Sequence, residues 1–147
     1  LDLRLGVQPA LAGLKHLNRL EQVLGAREAV VRGLDEGLMA DADGRLIGAT
    51  RGNLFARVGG RWITPPVDRA GVAGCTRGLL LEAWPALAEG ELRVDALPQL
   101  EALFLANAVR GILPAGRCGG RALDPCAPGL LDARAELAAP HPSFREP

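Results

Sequence analysis

Two glycine-bearing turn signals in the middle of this chain constrain its fold more than any other feature. Asp43-Gly44 separates Glu36–Asp41 from Arg45–Ala49, and Gly59-Gly60 separates Asn53–Val58 from Arg61–Thr64. Dipeptides of this kind reach the positive φ angles that tight hairpin turns require. The four flanking segments are short and apolar-rich, so they read as strands, and Pro65-Pro66 ends the second hairpin. Around this hairpin centre the spacing turns helical. Leu14, Leu17, Leu20, Val23 and Leu24 predict a helix over Ala10–Ala26. A second helix starts near Thr76 and runs through Leu79, Leu80, Ala83 and Leu87, kinked or shortened by Pro85. A weaker one covers Leu130–Ala138. Leu1–Val7 alternates as a strand and Glu91–Val94 reads as a short one. Pro98 opens a helical turn that feeds two apolar runs, Leu103–Ala106 and Val109–Leu113. The pattern is α+β, with strands dominating the middle.

Composition narrows the function. A length of 147 residues suits one domain. With 48% hydrophobic and 23% charged residues, a disordered or fibrous chain is excluded. Seventeen basic residues balance seventeen acidic ones and aromatics are only 3%, which argues against nucleic acid or an anionic membrane as partner. No apolar run approaches a membrane span, and Asp2 and Arg4 lie where a signal peptide would be apolar, so a cytoplasmic protein is expected. Cys75, Cys118 and Cys126 form neither a CxxC nor a Cys/His cluster; they read as free thiols, with no metal site. His141–Pro147 reads as a loose tail. A start at Leu1 in mid-pattern suggests a fragment or a processed piece.

Four places could carry chemistry. The seventeen basic residues include one lysine, Lys15. Arginine stays protonated, whereas lysine can attack a carbonyl, so any amine chemistry has this one candidate; the alternative is a solvated helix residue. Gly71-Val-Ala-Gly-Cys-Thr76 leads into a helix whose first N–H groups point outward. With the Thr76 hydroxyl this is either a phosphate cup or an ordinary helix start. Asn107 interrupts an apolar stretch and is either a satisfied structural amide or a ligand contact. Asp41-Ala-Asp-Gly44 is half a calcium loop without the later ligands, and reads as a hairpin turn. His16 and His141 lack a metal-spaced partner and read as structural or exposed.

In order, these segments resemble the C-terminal half of fold-type IV pyridoxal-phosphate enzymes, which include branched-chain and D-amino-acid aminotransferases and aminodeoxychorismate lyases. Leu11-Ala-Gly-Leu-Lys-His-Leu-Asn-Arg-Leu-Glu-Gln-Val-Leu24 is similar to the cofactor-lysine region of the lyases in particular. Asn53-Leu-Phe55, Thr64-Pro-Pro66, Gly71-Val-Ala-Gly-Cys-Thr-Arg77 and Phe104-Leu-Ala-Asn-Ala-Val-Arg-Gly-Ile-Leu-Pro114 follow in the family's order. The resemblance runs from about Pro9 to Pro114. It implies the C-terminal domain of the D-amino-acid aminotransferase-like fold, a hairpin-rich sheet or pseudo-barrel with flanking helices. The core would be about 1–114, with a looser segment over 115–147 and an N-terminal domain not contained in this chain.

The implied cofactor is pyridoxal 5'-phosphate, carried on Lys15. Gly74, the backbone of Cys75 and Thr76, the Thr76 hydroxyl and the Asn107–Ala108 segment would hold its phosphate, and Val72 would pack on its ring. The implied reaction eliminates pyruvate from 4-amino-4-deoxychorismate to leave 4-aminobenzoate for folate synthesis. An amino-acid aminotransferase is the alternative within the family, and a non-catalytic binding or scaffold domain is the alternative outside catalysis. Members are commonly homodimers, and the 147-residue chain alone is expected to be inactive. The sequence departs from the family at Gly48, where a glutamate facing the pyridine nitrogen is usual.

Overall fold

In chain order, the computed structural model, which describes residues 1–140, has β1 (Arg4–Leu5), α1 (Leu20–Val31), β2 (Leu38–Asp41), β3 (Leu46–Ala49), β4 (Asn53–Val58), β5 (Arg61–Thr64) and α2 (Cys75–Ala83). It continues with β6 (Leu87–Glu89), a 3-10 helix (Val94–Gln99), β7 (Ala102–Asn107), β8 (Gly111–Pro114), β9 (Arg117–Cys118), β10 (Arg121–Ala122) and α3 (Leu130–Ala138). Five strands form one sheet in the order β6-β5-β4-β7-β8. Three form a second, β1-β2-β3, and β9 pairs with β10. Within the larger sheet β5 and β6 are parallel and the other pairs antiparallel; in the smaller one β1 is parallel to β2.

Both hairpins form at the turns the sequence marks, with Gly44, Gly59 and Gly60 at positive φ. The apolar runs after Pro98 become the β7–β8 hairpin, with β7 inside the larger sheet beside β4 and β8 at its edge; both faces of that sheet are covered. One face carries Phe55, Trp62, Phe104 and Ala106 against Leu80 and Trp84 and against Leu130, Ala133 and Leu137 of α3. Phe55 and Phe104 are register partners and stack with ring centroids 4.5 Å apart. The Trp62 indole N–H donates to the Pro128 carbonyl at 2.9 Å, joining the chain after β10 to this core. The opposite face carries Leu54, Ala56 and Leu103 against Ala40 and Leu46 of the smaller sheet, with Leu92, Leu100 and Leu123. A strand buried on both faces reads as an unbroken apolar run.

Several expectations need correction. The helix expected over Ala10–Ala26 begins only at Leu20. Gly13 takes φ 78°, and residues 8–14 close turns such as Leu11 N–H to Gln8 C=O at 2.9 Å, which leaves Lys15 in irregular chain. The helical spacing is real but shifted. Gly25 and Ala29 are buried, while Leu20, Val23, Leu24, Val30 and Val31 are exposed. Leu1–Val7 forms only the two-residue β1. Glu91–Val94 is not a strand; Leu87, expected in the second helix, starts β6 instead, and Val94 opens the 3-10 helix. After Pro114, Leu123, Ala127, Leu130, Ala133 and Leu137 lie in the buried core. His141 and the rest of the expected tail lie outside the described residues.

The N-terminal segment is fastened to α1 by Glu28. Its carboxylate accepts the Asp2 N–H at 2.7 Å, the Leu3 N–H at 3.1 Å and an Arg32 guanidinium N–H at 2.6 Å. The Asp2 hydrogen bond foremost, then Leu3 and Arg32, holds this carboxyl well below its ordinary value, at about 2. A depressed carboxyl stabilises the fold above its unfolded pKa of about 4.3 and loses that contribution as pH falls through the folded value. Thermal melts from pH 7 down to pH 2 should therefore show Glu28→Gln less stable than the parent at neutral pH, with the gap closing between about pH 4.3 and pH 2. A gap constant over that range would contradict this role for Glu28.

Candidate functional site

Three connections meet at one end of the central strand pair. The first carries Lys15. Gly13 donates its N–H to the Gly71 carbonyl at 3.1 Å and accepts from the Ala73 N–H at 2.9 Å, a parallel bridge to Val72 that ends two residues before the lysine. Lys15 itself is exposed and makes no hydrogen bond or ion pair among the described residues.

The second connection is Gly71–Gly74, which runs into α2. Gly71 has φ 91°, and a Cβ there would lie 2.6 Å from Ile47 Cγ2. Gly74 is the extended N-cap, and no side chain caps the helix. The first-turn N–H groups, including those of Cys75 and Thr76, have no acceptor within the helix and form an end suited to an anion. Thr76 is only 2% exposed, whereas the Cys75 thiol is exposed. Arg77 points away from this end: it donates to the Pro65 carbonyl at 2.9 Å and pairs with Glu89.

The third is the β7–β8 turn. Asn107 Oδ1 accepts the N–H groups of Val109 and Arg110 at 3.0 and 2.9 Å, and its Nδ2 donates to the Arg51 carbonyl at 3.0 Å. Of the two readings of this amide, the structural one describes its contacts. Ala108, at the tip, is exposed.

Asn53 links all three connections. As the first residue of β4 it pairs in register with Ala106, next to Asn107. Its Nδ2 donates to the Val72 carbonyl at 2.8 Å. A Cβ on residue 74 would lie 2.2 Å from Asn53 Oδ1, so the loop passes the amide where only glycine fits. Sequence reasoning quoted Asn53 only as part of Asn-Leu-Phe; the available signal was a polar side chain heading a buried strand. Lys15, Val72, Gly74, Cys75 and Thr76 thus lie along two bridged connections, with Asn107 and Ala108 joined to them through Asn53 and Arg51.

Two further expectations meet the structure here. Asp41 Oδ1 accepts the N–H groups of Asp43 and Arg45 at 3.0 and 2.9 Å, which makes Asp41–Gly44 a hairpin turn. Gly48 is buried in β3 opposite Met39, and a Cβ there would lie 3.2 Å from the Gly52 carbonyl oxygen. The nearby carboxylate of Glu36 is engaged by the Thr50 hydroxyl and by Arg51.

Comparison with known proteins gives this geometry a class. The family model for amino-transferase class IV matches residues 2–118, and the chain belongs to that family. Among curated relatives it is 30% identical over 117 residues to an aminodeoxychorismate lyase of Vibrio harveyi, covering 77% of this chain and 43% of that protein. It is 29% identical over 125 residues to a putative branched-chain-amino-acid aminotransferase of Methanocaldococcus jannaschii, covering 82% and 43%. The crystal structure of 4-amino-4-deoxychorismate lyase from Pseudomonas aeruginosa superposes with a TM-score of 0.83 at 35% identity, covering 93% of this chain and 52% of that one. The α+β fold is therefore that of this enzyme family, and the chain spans about half the length of the relatives it matches. No helix among the described residues is long and apolar enough to cross a membrane.

The close approach at Gly74 yields a paired test. Gly74→Ala must displace the Asn53 amide and break its bond to Val72, at a cost of about 1–3 kcal/mol in urea unfolding. Gly78→Ala, four residues on in α2 with nothing within 4 Å of its Cβ, should instead stabilise the helix by roughly 0.5–1 kcal/mol. Equal effects from the two changes would rule out the clip as the cause.

Proposed function

We propose that this chain is the cofactor-lysine half of an aminodeoxychorismate lyase, which eliminates pyruvate from 4-amino-4-deoxychorismate and leaves 4-aminobenzoate for folate synthesis. The observation that carries the reading is the placement of the chain's one lysine, two residues past the bridge that ties its connection to the uncapped start of α2. This donor set suits pyridoxal phosphate: an amine for the carbonyl, free first-turn N–H groups for the phosphate, and glycines that admit a ligand to the backbone. When bound, that cofactor supplies a carbonyl for the substrate's amine and an electron-withdrawing ring.

Lys15 Nζ is the residue assigned to hold the carbonyl and, once free, to take the proton from the ring carbon bearing the substrate's amine. Cys75 and Thr76 are assigned to the phosphate through their N–H groups and the Thr76 hydroxyl, and the Asn107–Ala108 turn through the backbone at Ala108. Val72, fixed by Asn53, is assigned to the flat side of the cofactor. The apolar residues that α1 turns outward are assigned to packing against the remaining half of such an enzyme, which in its complete form would act as a cytoplasmic homodimer. The rest of the substrate grip is assigned to that half, so the 147-residue chain by itself is inactive under this reading.

Borohydride reduction of the cofactor-loaded protein followed by peptide mapping should place the adduct on the Lys15 peptide. In the complete enzyme, Lys15→Arg should abolish turnover while leaving the melting temperature close to that of the parent, since arginine keeps the charge but cannot form the bond. An adduct elsewhere would overturn the assignment.

A class IV aminotransferase is the second reading, favoured by the relative from Methanocaldococcus jannaschii. Gly48 separates the two. Transamination relies on a protonated ring nitrogen, and a hydrogen bond to a charged group contributes about 1.5–3 kcal/mol, or roughly one to two powers of ten in rate. Elimination is driven by aromatisation and needs that help less, so a glycine at 48 suits the lyase. In the complete, cofactor-loaded enzyme, Gly48→Glu should raise side transamination, seen as pyridoxamine phosphate accumulating with amino-acid donors, with little change in aminobenzoate release. An unmutated complete enzyme that already transaminates amino acids faster than it releases aminobenzoate would decide for the second reading.

A further inference from the structure

Arg19 is a charge without a counter-charge among the described residues. It is the N-cap of α1, four residues after Lys15, and is drawn partly out of solvent. The chain treats four other withdrawn arginines differently. Arg45 faces Glu91 at 3.2 Å, Arg69 faces Asp43 at 2.9 Å, and Arg57 and Arg77 are paired with Glu101 and Glu89. Arg19 has no hydrogen bond from its guanidinium and no ion pair among the described residues. Burial pushes its pKa down from the ordinary arginine value, the direction expected when a charge loses water and gains nothing in return.

Its neighbourhood is short of partners too. His16 Nδ1 and Gln22 Oε1, three residues to either side of it in sequence, are buried with no hydrogen-bond partner among the described residues. Buried polar atoms in native proteins are nearly always satisfied, so a stretch with two such atoms unmet beside a half-withdrawn arginine is one that a ligand or another surface completes. Four residues of chain reach at most about 14 Å, so Lys15 and Arg19 lie within the span of one small molecule and the cofactor it joins.

We propose that Arg19 binds a carboxylate of the substrate, and of the product, while the ligand's amine is directed to the Lys15 end. The inference rests on the lyase reading: 4-amino-4-deoxychorismate carries two carboxylates and 4-aminobenzoate carries one across the ring from its amine. The planar guanidinium offers two parallel N–H donors to such a group. Arg19 is a specificity residue in this scheme, since it selects ligands that are both amines and acids.

The test compares dissociation constants of 4-aminobenzoate and 4-aminobenzamide on the cofactor-loaded protein, read by the cofactor's absorbance change. The parent should prefer the acid by at least roughly tenfold. Arg19→Gln should lose that preference with cofactor loading unchanged, and Arg19→Lys should keep part of it. An Arg19→Gln protein that folds, loads cofactor and still prefers the acid places the missing counter-charge on another part of the polypeptide and overturns the proposal, while leaving the lyase reading intact. Loss of cofactor loading in Arg19→Gln would show that its anion is a cofactor oxygen, which also overturns it. A complete parent enzyme that binds neither compound and releases no aminobenzoate would remove the lyase reading itself.

Discussion

The stacked pair of Phe55 and Phe104 is the contact on which the rest of the molecule depends. The two are register partners on β4 and β7, the central strands, and their rings lie 4.5 Å apart and nearly parallel. Trp62 and Trp84 lean on the same stack, with centroids 5.2 and 6.3 Å from Phe104. A slip of β7 by one residue against β4 would turn Phe104 away from Phe55, to the face now filled by Leu54, Ala56 and Leu103. Both faces are buried, so neither could accept the other's side chains without voids or overpacking.

That register also sets the site. Because β4 and β7 are antiparallel, the start of one and the end of the other lie at the same edge of the sheet. Asn53 heads β4, Asn107 ends β7, and the pairing of Asn53 with Ala106 makes them neighbours. From there the Asn53 amide reaches the Val72 carbonyl, and the Gly13 bridge extends the chain of contacts toward Lys15. The aromatic stack and the polar end are therefore consequences of one alignment. The ion pair of Asp43 with Arg69 fastens the β2–β3 turn to the loop that carries Val72, and the Asp43 carbonyl accepts a hydrogen bond from Arg93 at the start of the 3-10 helix.

The hairpins were legible in the sequence because their determinants are local. A glycine pair or Asp-Gly between two apolar segments specifies a turn without reference to anything distant. The start of α2 was legible for the same reason. The position of α1 was not, because what stops the helix before Leu20 is tertiary: Gly13 is drawn to Gly71 and Ala73, residues almost sixty positions away. Periodicity also misjudged its buried face. Small residues such as Gly25 and Ala29 pack inward, and a Cβ on Gly25 would already meet Met39 and Leu1 within 3.3 Å. At the site, the residue types Lys15, Thr76 and Asn107 could be singled out from the sequence. The role of Asn53 could not, since it is defined by the carbonyl it meets across the fold.

Glycine is the common element of this end of the molecule, and each instance excludes a side chain for its own reason. At 71 a Cβ would strike Ile47, at 74 the Asn53 amide, and at 52 the Ala106 carbonyl at 2.9 Å. Backbones therefore approach one another here more closely than side chains would allow, and peptide N–H and C=O groups become the surface that a ligand meets. Peptide dipoles held by a packed sheet need little rearrangement on binding, unlike long side chains that must first be ordered. Set among sixteen arginines that cannot give up their charge, Lys15 is the one side-chain amine of the sequence, and it lies exposed on a connection bridged to this backbone-lined end. Under the proposed function the fixed dipoles would serve the anion and the amine the chemistry, a division of labour that the close packing at the glycines permits.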